Sequence, residues 1–271
     1  MKKYITRCMF FLTLFALTNI CRGQVHFKNA CTEYFYGDLN KAVALFDISI
    51  SEKEELAQSY MYRGAAKSFL KMFPGALKDL NTSKKIDSTN PKLDYYFGKY
   101  YLFLKSKNDS ALFYYSKAIR KNPQYAAAYD ERATVKIMLN DFKGAIEDEN
   151  KAIGIDSTQQ IYYTDRGFAL FSLNHYKEAI KDYNTSLQIE PNHKAFADRG
   201  YAYYKLGLQQ MAIEDYTRAL NIMPDDLEIY YRRGVSYMAI GKKEEACEDF
   251  TRSKNMGYEP ALKEMKKNNC R

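Results

Sequence analysis

The residues of this chain that could do chemistry are few and poorly spaced for it. His26, His175 and His193, the three histidines, stand at no metal-ligand spacing from one another or from a cysteine. His175 falls in the short polar stretch LNHYKE, which suits a solvated side chain. Adjacent carboxylates such as Glu147-Asp148 and Glu214-Asp215 have the residue types of a general acid and base. They recur at one position of a repeating pattern, however, which marks a helix surface or an ion pair. There is no glycine-rich phosphate loop, no nucleophile elbow and no zinc-protease signature. No catalytic residue, metal site or cofactor is therefore expected, and no enzyme activity.

A second set of charges is more regular. Arg63, Arg132, Arg166, Arg199 and Arg233 are followed, sixteen residues on, by Asp79, Asp148, Asp182, Asp215 and Asp249. Where Asn29 and Phe97 take the place of Arg, Leu45 and Tyr114 take the place of Asp, so the pair is present or absent as a unit. This predicts an Arg–Asp bridge between two neighbouring helices, made with the guanidinium fork. Such a bridge fixes pairing more than it stabilises, because desolvation offsets much of the attraction. A matched carboxylate also neutralises each Arg, which argues against an arginine ladder for phosphate.

The elements that hold these pairs follow from the small residues. Ala30, Gly64, Gly98, Ala133, Gly167, Gly200 and Gly234 recur at steps of 33 to 35 residues. Twelve residues after each, or thirteen in the third case, stands Ala42, Ala76, Ala111, Ala145, Ala179, Ala212 or Ala246. Seven further on comes Ser49, Ser83, Ala118, Ala152, Ser186, Ala219 or Ser253. Between them run two stretches of helical periodicity per period, split by polar turns such as LGLQQ and IGKKEE. Small residues once per helix let two backbones approach closely. Pro123, Pro191 and Pro224 end the second helix or open the next turn. A helical hairpin of this size cannot bury its apolar face alone, so neighbours must stack, and an all-α solenoid results.

The pattern resembles the tetratricopeptide repeat. That family carries an aromatic at position 4, small residues at 8 and 27, alanine at 20, an aromatic at 24 and proline at 32. These fall on Tyr163, Gly167, Ser186, Ala179, Tyr183 and Pro191, and again on Phe196, Gly200, Ala219, Ala212, Tyr216 and Pro224. Seven units over 24–260 are expected, starting near 23, 57, 91, 126, 160, 193 and 227, with a capping helix over 261–271. The first unit is the weakest, with His26 at the aromatic position, and the third carries one extra residue. Arginine at position 7, where the family often has leucine, is a departure. The resemblance implies a right-handed superhelix whose first helices line a concave groove with positions 2, 5, 9 and 12. The candidate groove residues are then Tyr95, Lys99 and Leu102; Thr164, Phe168 and Phe171; Lys194, Tyr201 and Tyr204; and Tyr231. Tyrosine suits adaptable recognition, since it pairs apolar area with a hydroxyl at little rotamer cost. A subset of the family clamps chaperone C-termini with Lys at 5 and Asn at 9; position 9 holds no Asn here, so that clamp is absent.

The N-terminus carries Lys2, Lys3 and Arg7, then a run from Cys8 to Leu17 that is apolar apart from Thr13. This reads as a signal peptide over 1–23, cut after Gly23, and the run is far short of the ~20 apolar residues of a spanning helix. An alternative is a lipoprotein acylated at Cys21. The formal charge of +8 falls to +4 once the four basic residues of that segment are removed. The small, scattered excess argues against a nucleic-acid partner. Export places the remaining cysteines where disulfides persist. Cys247 and Cys270 lie roughly level if two antiparallel helices turn near Gly257, which predicts their disulfide and leaves Cys31 outside it. The expected function is a periplasmic or secreted scaffold with no integral membrane segment after processing. It would bind an extended peptide or a partner helix in the groove. A glycan- or cell-wall-binding module and a structural subunit of an envelope complex are the alternatives.

Overall fold

Glycine inside a helix is destabilising unless something needs the space its missing Cβ leaves. Here that something is an aromatic ring. A Cβ on Gly98 would stand 2.5 Å from Tyr115, one on Gly167 2.8 Å from Tyr183, and one on Gly234 2.7 Å from Phe250. Each glycine lies on the first helix of a hairpin and each ring on the second. The close approach of the two helices is thus written into the small–aromatic pair sixteen or seventeen residues apart.

The computed structural model describes residues 25–104 and 107–270. The segment read as a signal peptide, with its expected cut after Gly23 and with Cys21, lies outside the described residues. Fifteen helices and no strand occur among them. In hairpin order they are α1 (Val25–Tyr36) with α2 (Leu39–Ser51), α3 (Leu56–Phe69) with α4 (Phe73–Ile86), and α5 (Pro91–Phe103) with α6 (Asn108–Lys121). Then come α7 (Ala126–Met138), α8 (Phe142–Ile155), α9 (Gln160–Ser172) with α10 (Tyr176–Ile189), α11 (His193–Lys205) with α12 (Gln209–Ile222), and α13 (Leu227–Ala239) with α14 (Lys243–Asn255). The last is α15 (Glu259–Lys267). The cap starts two residues before the expected 261, because Pro260 is tolerated in a first turn whose N–H groups have no helical acceptor.

The chain divides into two compact units, Met1–Val135 and Lys136–Arg271. In the first, Phe27, Phe46, Met61, Leu80, Leu93 and Phe97 form a continuous core around buried alanines. In the second, Tyr183, Tyr216 and Phe250 are each fully buried against the alanines of their own hairpins. The alanines from Ala42 to Ala246 are all fully buried, and the seven small residues that follow them are buried too. Where that second row is serine, its hydroxyl finds an acceptor. Ser83 donates to the Ala57 carbonyl and Ser253 to the Leu227 carbonyl, both at 2.7 Å. Turns close with a left-handed residue, Gly207 at φ 77° and Gly241 at φ 79°, where glycine carries no Cβ penalty. Past the second helix the chain leaves by proline: α10 ends at Ile189, with the cap Glu190 before Pro191, and α12 ends at Ile222, with the cap Met223 before Pro224.

Gly98→Ala tests the close approach where it is tightest. The added methyl must displace a fully buried ring. The cost should be about 1–3 kcal/mol despite the better helix propensity of alanine. A denaturant midpoint equal to or above that of the wild type would show that the ring can move aside.

Candidate functional site

Four of the Arg–Asp pairs meet as two-pronged bridges. Arg63 reaches Asp79, Arg166 reaches Asp182, Arg199 reaches Asp215 and Arg233 reaches Asp249. In each, Nε and Nη2 donate to the two carboxylate oxygens at 2.6–2.8 Å. The arginine comes from the first helix of a hairpin and the aspartate from the second. Arg132 belongs to the first unit and Asp148 to the second. Within their own units Arg132 donates to Ser116 Oγ at 3.0 Å, and Asp148 accepts from Lys136 at 2.8 Å. An aromatic ring supports each guanidinium, with Tyr163 under Arg166, Phe196 under Arg199 and Tyr230 under Arg233, all at 5.6 Å.

The bridges also do something the spacing did not announce. The remaining Nη1 of each arginine reaches back to the second helix of the preceding hairpin. Arg63 bonds Asp47 at 2.5 Å, Arg166 bonds Asn150 at 2.7 Å, Arg199 bonds Asn184 at 2.5 Å and Arg233 bonds Thr217 at 3.0 Å. One guanidinium therefore ties three helices and two repeats. The signal lay in an oxygen-bearing side chain fifteen or sixteen residues before each arginine, whose identity varies too much to stand out. In the third hairpin the pair is replaced by stacked rings: Phe97 and Tyr114 lie 4.9 Å apart at 18°.

The residues expected in a groove do not all share one environment. Thr164 is a correction: its side chain is buried, 1% exposed, and its hydroxyl pairs with Ser186 Oγ at 2.7 Å, so position 5 of that hairpin faces its own second helix. Tyr95 packs its ring against Tyr96, Tyr115 and Tyr125 at 5.2–5.9 Å and also borders a pocket of the first unit. Leu102 packs on the Tyr115–Val135 cluster. Lys99 is engaged by Glu131 and lies 5.7 Å from the Phe69 ring. With Tyr34, Phe35, Phe69 and Tyr96 it borders an apolar pocket of about 240 Å³ in the first unit. Lys194 is exposed and bonds Asp165 at 2.8 Å. Phe168 is half-buried on α9, and Phe171 meets the Tyr201 ring at 4.9 Å.

Tyr201, Tyr204 and Tyr231 do converge. They line a cleft of about 330 Å³ in the second unit together with Lys205, Tyr216, Glu228, Arg232, Val235 and Tyr258. Helix α11 supplies Tyr201, Tyr204 and Lys205; α12 supplies Tyr216; α13 supplies Glu228, Tyr231, Arg232 and Val235; Tyr258 caps α15. Tyr201 and Tyr204 stack at 6.1 Å and 19°, and Arg232 lies 4.1 Å over the Tyr201 ring. Arg232, Lys205 and Tyr216 were missed because a groove read from positions 2, 5, 9 and 12 skips positions 6, 13 and 24.

Behind this face sits a carboxyl that pays for its position. Asp198 on α11 has an Oδ2 with no hydrogen-bond partner. Burial lifts its pKa from 3.8 to about 6; Lys194 and Arg232 oppose the shift, and Asp165 and Glu228 add to it. Between pH 4 and 6 the folded chain therefore holds a proton that the unfolded chain has released. Stability from this group falls as pH rises through that window and stays low above it. Asp198→Asn should be more stable than wild type at pH 7.5 by roughly 2–3 kcal/mol, with the gap closing at pH 4. Thermal melts at the two pH values decide it; parallel curves at both would show that the carboxyl is solvated.

At the C-terminal end Cys247 and Cys270 are joined in a disulfide, with Cα atoms 5.4 Å apart. Cys31 is buried in α1, outside that bridge. Ala261 of α15 packs on Ala246 and Phe250, while Lys263, Lys266 and Lys267 face outward. No described helix is long and apolar enough to cross a membrane.

Stacked helical hairpins tied in this way define an α-helical repeat solenoid, a class of scaffold for protein–protein contact. Models described as tetratricopeptide repeat match residues 161–193 and 227–256, and one described as TPR repeat matches 200–241. The chain carries tetratricopeptide repeats over these residues. Among solved structures it is similar to the Cut9–Hcn1 hetero-tetramer of APC/C, at TM-score 0.74 and 16% identity over 89% of this chain and 48% of that one. It is also similar to a tetratricopeptide repeat protein from Parabacteroides merdae ATCC 43184, at 0.62 and 18%, covering 90% and 96%. A third is YrrB, described as a TPR protein with an unusual peptide-binding site, at 0.58 and 18%, covering 69% and 97%. At these identities the likeness is one of fold. No curated protein matches the sequence.

Proposed function

We propose that this protein is an exported, non-catalytic scaffold that binds an extended peptide or a partner helix at the cleft of its second unit. The observation that carries the reading is the convergence of Tyr201, Tyr204, Tyr231 and Tyr258 around Arg232 in an open cleft of about 330 Å³. Rigid phenol rings with polar tips offer contact area at low entropic cost, the property that adaptable protein-binding surfaces share. The fold likeness to YrrB, a protein with a peptide-binding site, points the same way. The joined Cys247 and Cys270 support a periplasmic or secreted location, since such bonds persist in oxidising compartments.

Selection of a random peptide display library on the immobilised protein tests the reading, alongside an oligosaccharide array. Enriched peptides should bind at least tenfold more weakly to Tyr201→Ala/Tyr204→Ala, while the helical circular dichroism stays near wild type. A glycan hit with no enriched peptide would replace the peptide reading with the carbohydrate one. Collapse of the fold in the double variant would place those rings in the core.

A further inference from the structure

We infer that the cleft between α11 and α13 seats a side-chain carboxylate, so that the peptide this protein takes is an acidic one. The inference rests on the peptide reading above and narrows it to a ligand chemistry.

The floor is Tyr216. Its side chain is fully buried and borders the cleft, and its hydroxyl, with the Arg232 guanidinium beside it, meets no acceptor. Burial pushes this phenol well above its ordinary range, so it stays protonated and remains a donor. A buried O–H without an acceptor is destabilising, and an incoming oxygen would remove that cost.

The walls add donors and positive charge. Arg232 spends Nε and Nη2 on a single oxygen, Glu228 Oε1, at 3.1 and 2.5 Å. The guanidinium also stands beside the Tyr216 hydroxyl. Lys205, exposed at the rim, places Nζ 5.1 Å from the same Tyr201 ring that Arg232 covers. Two cations thus converge on one ring while the lining holds one carboxylate, Glu228. A basic peptide would meet like charge here. An apolar side chain would leave the Tyr216 hydroxyl unmet, and a neutral sugar would leave the excess charge unmet. A carboxylate answers both, accepting from the guanidinium and the phenol in charge-assisted bonds. These groups stand at positions 6, 13 and 24 of their repeats, not at the positions 5 and 9 of the chaperone clamp.

Peptide selection from a random display library, run in parallel on the wild type and on Tyr216→Phe, tests this. The Phe variant removes one oxygen and keeps the ring that packs on Gly200. Its melting temperature should equal or exceed that of the wild type, since an unmet polar group is gone. The wild type should enrich peptides with Asp or Glu at a fixed position. Replacing that acid by Asn or Gln in the best peptide should weaken binding about tenfold or more. Tyr216→Phe should weaken the acidic peptide about five- to tenfold and the amide peptide little. Lys205→Gln should lower the affinity severalfold and flatten its salt dependence. Enrichment with no acid preference, or equal loss of both peptides in Tyr216→Phe, overturns the carboxylate inference and leaves peptide binding standing. No enrichment at all removes the peptide reading itself.

Discussion

Asp215→Ala should lower the stability of the second unit by about 3–5 kcal/mol, the range for stripping one partner from a buried ion pair. The reason is what stays behind. The Arg199 side chain is 13% exposed and that of Asp215 3%, so the guanidinium loses two charge-assisted bonds with little water to replace them. Breaking the pair is not the same as replacing it. In the third hairpin the same slot holds Phe97 stacked on Tyr114. Arg199→Phe with Asp215→Tyr copies that arrangement and should recover most of the loss, leaving a deficit of roughly 1–2 kcal/mol for the lost Asn184 bond. Urea unfolding of the single and double variants measures both terms. A double variant as unstable as Asp215→Ala would show that the slot accepts only charge.

Cys247→Ser with Cys270→Ser carries the second large effect. The bridge closes a loop with a sequence separation of 23 residues. On the chain-entropy view such a link contributes about 3 kcal/mol, within a usual span of 2–5 for a native bridge. The loss should fall on the end of the chain rather than on the whole molecule, because each repeat contacts only its neighbours. Amides of α14 and α15 should exchange faster in the variant, and equally fast in the wild type treated with reductant, while α9 and α10 change little. Tyr258 caps α15 and lines the cleft, so peptide affinity should drop as well. Unchanged protection of α15 after reduction would mean that Ala261 packing alone holds the cap.

The hairpins were legible because their determinants are periodic and strict. A ring pressed on the first helix leaves no room for a Cβ opposite, as at Gly98 and Gly234, and a paired guanidinium needs its carboxylate. Such constraints leave the same letter at the same step. The backward bond from each Nη1 was not legible, because Asp47, Asn150, Asn184 and Thr217 all satisfy it and share no letter. The groove was half legible. The repeat positions implied by the resemblance assign Thr164 and Tyr201 to one face but do not say how far the neighbouring helices close over that face. At Thr164 they do, and Ser186 takes the hydroxyl. At Tyr201 they leave an opening, whose floor, Tyr216, belongs to a second helix that those positions leave out.

The tolerance of that backward bond bears on how arrays of this kind change length. An in-frame loss of residues 193–226 would bring Arg233 to Asn184 at the separation Arg199 now has, and a duplication would recreate the Thr217 contact. Because the acceptor need only carry an oxygen, a seam cut by recombination closes without a matching second mutation. The fastening between modules thus travels with each module, and evolution can lengthen or shorten the ruler one notch at a time.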